Sequence, residues 1–218
     1  MNKKEIKPVK AIFPKSEKKQ LDFKRIGIFS GSFDPVHKGH VAFALQAIEK
    51  ANLDFVYFLP ERKPINKPEI THFAHRIKML ELAIRAHSKL KILELEGNKF
   101  TVNITLPKIR KRFKNDRLIF LMGSDLFENI QNWPDIKKLL SEVGLIIGAR
   151  GSYEVSESLE HAKNLPCNPL ELTIIDSIER EISSSQIRTQ LSKNLPCDLI
   201  LQSVRQYAIK EWLYNRIS

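Results

Sequence analysis

Two histidines three residues apart open the chain's first strong helical pattern. They lie in Ser30-Gly31-Ser32-Phe33-Asp34-Pro35-Val36-His37-Lys38-Gly39-His40, between an apolar run and a helical one. A strand-to-helix turn aims backbone N–H groups and the positive end of the helix dipole at one point, which favours an anion. Gly31 and Gly39 let a ligand approach the backbone closely. With His40 in the first helical turn and His37 just before it, both imidazoles can face one cavity and donate to phosphate oxygens. The pair could also ligate a metal, but no third or fourth ligand stands nearby at zinc-like spacing. A second segment, Ile182-Ser183-Ser184-Ser185-Gln186-Ile187-Arg188, puts three hydroxyls at the start of a helix and Arg188 one turn inside it. That too is a cradle for phosphate.

The elements around these segments alternate in type. Arg25–Ser30, Asp54–Leu59, Leu90–Leu95, Arg117–Met122, Val143–Ile147 and Leu172–Ile175 read as short apolar strands. Gly39–Ala51 places Val41, Ala44, Leu45 and Ile48 on one helical face, and His75–Ala86 does the same with Ile77, Leu80 and Ile84. Helices are also expected over Val102–Phe113, Asp125–Gln131, Asp135–Leu140, Glu154–Asn164, Ser184–Leu191 and Asp198–Tyr214. Pro107 interrupts the first of these or marks a late start. Alternating strands and helices imply an α/β fold, a Rossmann-like doubly wound, mostly parallel sheet with helices on both faces. Such sheets bind ligands beyond the carboxyl ends of their strands.

The 218 residues carry a net charge of +11, with 42% hydrophobic and 28% charged residues. That length suits one large domain. Cys167 and Cys197 are the only cysteines, too few for a disulfide scaffold or a Cys-rich zinc site. No apolar run approaches the ~20 residues of a membrane span, and the first residues lack a signal-peptide pattern. A soluble, cytoplasmic protein is expected. The charge is localised: residues 1–25 hold +6 and residues 108–117 hold +5, so the remainder is balanced. Neither segment interleaves aromatics with bases as a nucleic-acid platform would. Residues 1–23 read as a basic, flexible tail, and 24–218 as the working domain.

Ser32-Phe33-Asp34-Pro35 followed by His37-Lys38-Gly39-His40 resembles the H-x-G-H signature of the nucleotidyltransferase superfamily. Ile182–Arg188 is similar to its second motif, I-S-S-x-x-I-R. Further residues resemble the bacterial nicotinate-nucleotide adenylyltransferases. Gly123-Ser124-Asp125 with Trp133 is similar to their G-x-D…W pattern, and Arg150-Gly151 to an Arg-Pro-Gly that has lost its Pro. Leu59-Pro60…Pro64…Lys67, then Arg76 with Met79-Leu80, resembles their L-P…P-H-K…R-x-x-M-L run. The segment from Val204 through Tyr207 to Tyr214 resembles their final helix. Three positions depart from the family: Asn66 replaces a His, and Asn103 and Ile104 replace an acid and a hydroxyl near Thr101.

The resemblance implies adenylyl transfer from ATP to nicotinate mononucleotide, giving the dinucleotide and pyrophosphate. It implies His37, His40, Lys67 and Arg188 as catalytic residues. It implies an ATP site of Gly31, Ser32, Phe33, Gly39, His40, Asp125, Ile182, Ser183, Ser184 and Arg188. Thr101, Trp133 and Arg150 would hold the pyridine nucleotide. Mg²⁺ is expected with ATP, bridging phosphate oxygens and keeping several waters, so no dedicated protein ligands are assigned to it. The partners implied are small molecules, with no specific nucleic acid and no membrane; homo-oligomerisation stays open. Two related activities compete: adenylyl transfer to nicotinamide mononucleotide, or to pantetheine phosphate. From another class comes an RNA-binding module with a degenerate nucleotide site, on the strength of the two basic segments.

Overall fold

A computed structural model describes residues 10–11, 23–64, 69–97, 99–149, 151–176 and 182–215. Its elements run β1 Lys10–Ala11, β2 Arg25–Gly31, α1 Lys38–Ala51, β3 Phe55–Pro60, α2 Phe73–Ile84, β4 Leu90–Ile92, α3 Val102–Arg112, β5 Arg117–Gly123 and α4 Ser124–Glu128. There follow α5 Ile136–Glu142, β6 Gly144–Ala149, α6 Ser152–Lys163, β7 Leu172–Asp176, α7 Ser184–Ser192 and α8 Gln202–Lys210. The sheet order is β1-β7-β6-β5-β2-β3-β4. Strands β2 to β7 pair parallel with one another, with Ile28 of β2 opposite Tyr57 of β3 and Phe120 of β5. The strand order reverses at β2, which opens a crevice at its carboxyl end between β2 and β5.

Side chains alternate along each strand, so the sheet feeds two cores. Ile26, Ile28, Leu118, Phe120 and Leu145 pack with α3, α4 and α5 on one face. Phe29, Val56, Phe58, Ile119 and Leu121 pack with α1, α2, α7 and α8 on the other. The expected doubly wound architecture is the one observed.

Several local expectations change. Lys10 and Ala11, inside the segment read as a tail, pair antiparallel with Thr173 and Leu172 at the sheet edge. The rest of residues 1–22 lies outside the described residues. Helix α3 continues through Pro107, which cannot donate to the carbonyl four residues back. The long helix expected over Asp198–Tyr214 is shorter, Gln202–Lys210. Beyond it Trp212 and Tyr214 take positive φ values of 53° and 67°, turning the chain back toward the sheet.

This topology places the candidate residues. His37 and His40 follow β2, Thr101 follows β4, Asp125 and Trp133 follow β5, and Ser183 to Arg188 follow β7. All stand at the carboxyl ends of parallel strands. The two motifs read from the sequence belong to loops that converge there.

Candidate active site

The turn after β2 is shaped by its aromatic residue. Phe33 has φ 47°, a left-handed conformation that costs a non-glycine residue about 1–2 kcal/mol. Its ring is 1% exposed and packs edge-on against Phe29, His40 and Phe58 at 5.5, 5.1 and 5.3 Å. Burial of that ring offsets the backbone strain. A Cβ on Gly31 would come within 3.1 Å of the same ring, so any larger residue there would press on it.

His37 is the N-cap of α1, and the two histidines cap reciprocally. His40 N–H donates to His37 Nδ1 at 3.4 Å, and His37 N–H donates to His40 Nδ1 at 3.3 Å. The rings stack with centroids 3.6 Å apart. Because each Nδ1 accepts a backbone proton, each neutral imidazole must carry its own proton on Nε2. The pair is thereby fixed in the tautomer that donates from its outer nitrogen. His37 is buried, and that burial pushes its pKa down to about 4. It is neutral at physiological pH.

The shift has a sign in stability. The folded pKa of His37 lies below the ordinary value of 6.5, so below pH 6.5 the unfolded chain binds more protons. Its contribution is complete above that value and is lost as pH falls toward 4. The difference corresponds to about 3 kcal/mol. His37→Asn keeps a capping acceptor and removes the titration. Urea denaturation at a series of pH values is expected to show a wild-type loss in this window that the variant lacks; parallel curves would contradict it.

Helix α7 docks on this turn from 149 to 154 residues away. Ser184 Oγ donates to the Pro35 carbonyl at 3.0 Å, and Arg188 Nη1 donates to the Asp34 carbonyl at 2.8 Å. Arg188 Nη2 also donates to Ser185 Oγ, and Ser183 Oγ caps the helix by accepting from Gln186 N–H. Ile182, just before the cap, packs partly buried on the core. Ser184 and Arg188 therefore brace the turn after β2.

Asp34 is 3% exposed and binds two further segments. Tyr214 donates its hydroxyl to Oδ1 at 2.7 Å, and Thr71 N–H donates to Oδ2 at 3.1 Å. Burial first, then the neighbouring Asp34 carboxylate, pushes the Tyr214 pKa up, so its hydroxyl stays a donor. Arg76, wholly buried, donates to the carbonyls of Thr71, Ser32 and Arg62 at 2.9, 2.7 and 3.0 Å. Burial lowers its pKa while Asp34 opposes that shift. Sequence reading gave neither Asp34 nor Tyr214 a role. Their type and spacing alone do not reveal a contact spanning 180 residues.

Two depressions border the turn. One, of about 620 Å³, is lined by Asp34, Thr71, Ser185, Arg188 and Tyr214. The other, about 560 Å³, lies at the β2–β5 crevice and is lined by Ser30, Gly31, Ser32, Glu61, Thr101 and Trp133, among others. Its walls are mainly apolar. Trp133 leans on Phe100, 6.1 Å between centroids, and Phe100 on Phe120 at 5.2 Å. Thr101 Oγ1 is buried at this wall without a hydrogen-bond partner among the described residues. The cavity is thus sized and lined for a ring with a few polar anchors.

Asp125 stands exposed in the first turn of α4, where a Cβ on Gly123 would strike its Oδ1 at 2.6 Å. Asn103, the departure from the family acid, has a partner on each side. Its amide nitrogen donates to Asp135, and its oxygen accepts from Lys138 Nζ at 3.1 Å. An acid there would face the Asp135 carboxylate. Ile104 is 60% exposed at the cavity rim. Gly39 lies in the first turn of α1. Lys67, Arg150 and Asn66 lie outside the described residues. Glu61 was overlooked in the sequence; its position directly after the β3 strand was the available signal.

A doubly wound sheet with a bis-histidine anion turn at its switch point defines a nucleotidyltransferase. Residues 28–190 match the cytidylyltransferase-like family model. The chain belongs to the nicotinate-nucleotide adenylyltransferase family. It is 33% identical to the nicotinate-nucleotide adenylyltransferase of Bacillus subtilis (strain 168) over 199 residues, 88% of this chain and 99% of that one. Among solved structures it resembles Plasmodium falciparum nicotinic acid mononucleotide adenylyltransferase complexed with NaAD. The TM-score is 0.73 at 26% identity, over 88% of this chain and 98% of the other. The same Plasmodium falciparum protein complexed with APC gives 0.70 at 27% identity over the same shares.

Proposed function

We propose that this chain transfers the adenylyl group of ATP to the 5′-phosphate of nicotinate mononucleotide, a step of NAD biosynthesis. The observation that carries the reading is the reciprocal capping of His37 and His40 in the turn after β2, which leaves Nε2 as the proton-bearing nitrogen of each neutral ring. A phosphate oxygen of the mononucleotide attacks the α-phosphorus, the bond to the α,β-bridging oxygen breaks, and pyrophosphate leaves. The nucleophile is already charged, so no protein base and no covalent intermediate is needed. Catalysis is positioning and charge stabilisation. His37 and His40 hold α- and β-phosphate oxygens, and the Ser32 and Phe33 backbone anchors them. Ser183, Ser184 and Arg188 are assigned to the leaving pyrophosphate, and Lys67, on the family resemblance, to the phosphates. Trp133 and Thr101 receive the pyridine ring, Asp125 the ATP ribose, and Arg150 the mononucleotide.

Among the described residues, no three His, Cys, Asp or Glu side chains converge as a metal site. Asp34, the carboxylate in the turn, is occupied by Tyr214 and Thr71. In this reading Mg²⁺ would accompany ATP as part of the substrate, and no step is assigned to it. Among the described residues, no helix is long and apolar enough to cross a membrane. A cytoplasmic enzyme with residues 24–218 as its catalytic domain completes the reading.

The test is direct. The protein with MgATP and nicotinate mononucleotide is expected to release pyrophosphate, and to prefer the acid when both pyridine mononucleotides compete. No release, or a preference for the amide, would sink the proposal.

A further inference from the structure

The polar groups lining the crevice cavity include two carboxylates that the reaction as described does not use: Asp135, which accepts from the Asn103 amide, and Glu61. Glu61 follows β3, and its backbone N–H donates to the Gly31 carbonyl at 3.0 Å. Its side chain is half-buried. Oε1 accepts from Phe100 N–H at 3.3 Å and from Ser30 Oγ at 3.4 Å. Glu61 thus bridges two regions of the cavity. On one side is the turn that begins at Gly31 and Ser32; on the other is the segment that carries Phe100 and Thr101.

A mononucleotide has its parts in fixed order: ring, ribose, phosphate. The site has an order too. Trp133, Phe100 and the orphaned Thr101 hydroxyl mark the ring end, and the His37–His40 turn marks the phosphate end. Glu61 stands between them. A carboxylate accepts hydrogen bonds and donates none, and it repels phosphate. The neutral part of the ligand with two neighbouring donors is the ribose diol. Ser30 and Phe100 fix the Glu61 side chain before any ligand arrives, which lowers the ordering cost of binding.

We infer that Glu61 is a specificity-determining residue that binds the ribose diol of the pyridine nucleotide and makes the enzyme a reader of ribose over deoxyribose. This rests on the adenylyltransferase reading above. It is tested by comparing nicotinate mononucleotide with its 2′-deoxy analogue in the pyrophosphate assay, for the parent, Glu61→Ala and Glu61→Gln. A hydrogen bond to a charged group contributes about 1.5–3 kcal/mol, so the parent should favour the ribonucleotide in kcat/KM by roughly 10- to 100-fold. In Glu61→Ala the ratio is expected to collapse toward one, with the loss falling on the ribonucleotide. Glu61→Gln, which keeps an oxygen for Phe100 N–H, is expected to give an intermediate ratio. A parent without preference, an unchanged ratio in Glu61→Ala, or equal slowing of both substrates would overturn the inference while leaving adenylyl transfer standing. Absence of transfer to either substrate would instead overturn the adenylyltransferase reading, and this inference with it.

Discussion

His40→Ala is expected to slow pyrophosphate release roughly 10²–10³-fold, the usual effect of removing one oxyanion donor, worth ~3–4 kcal/mol. The geometry explains why the loss would fall on rate and not on folding. His40 presents Nε2–H only because its Nδ1 accepts the His37 backbone proton. The alanine variant loses the donor, but His37 still caps α1 by accepting the backbone N–H of residue 40. The stability cost is then about 1 kcal/mol, that of one capping contact. Steady-state rates and a denaturant midpoint on the same preparation separate the two effects. A variant within tenfold of the parent would remove His40 from the chemistry. A fully unfolded variant would show that its stacked ring is structural first.

Arg76→Ala is expected to cost stability on a comparable scale, about 3–5 kcal/mol, the range seen when one member of a buried charged network is removed. The guanidinium serves three carbonyls, those of Thr71, Ser32 and Arg62, and lies near the buried Asp34. Without it all three acceptors and the carboxylate lose their compensation. Arg76→Lys is expected to recover only part of the loss, because a point charge cannot span three carbonyls held in a planar fork. Equilibrium denaturation measures both. A loss below about 1 kcal/mol for alanine would mean that water replaces the guanidinium without penalty. Because Arg76 holds the Ser32 carbonyl of the turn proposed to bind phosphate, kcat/KM is expected to fall in the folded fraction as well.

Much of this was legible in the amino-acid order. Buried parallel strands are apolar throughout, so β2, β3, β5 and β6 announced themselves. The turn between β2 and α1 was readable because its glycines and histidines sit between a strand pattern and a helix pattern. Other features depend on where distant segments meet. A helical pattern around Met79 and Leu80 places Arg76 beside the core but does not say that three backbone carbonyls await it. Asn103 stood out as a departure, and its meaning required α5, which brings Asp135 and Lys138 to either side. The last helix was overextended because helical periodicity continues past Lys210. The positive φ values at Trp212 and Tyr214 that break it carry no glycine to signal them. Pro107 is the reverse case, a helix breaker whose neighbours Leu106 and Ile109 are buried deeply enough to carry the helix through it.

The bond between Tyr214 and Asp34 bears on how the molecule is made. Ribosomes deliver residues in order, and the His37–His40 turn emerges directly after β2. Its braces arrive much later: Ser184 and Arg188 about 150 residues on, and Tyr214 after 180. Until then Asp34 has no hydroxyl for one of its oxygens, and the strained Phe33 turn lacks its outer supports. Contacts of such long sequence separation form late and slowly. A nascent chain can therefore assemble the central strands long before the turn after β2 receives the braces that α7 and Tyr214 supply.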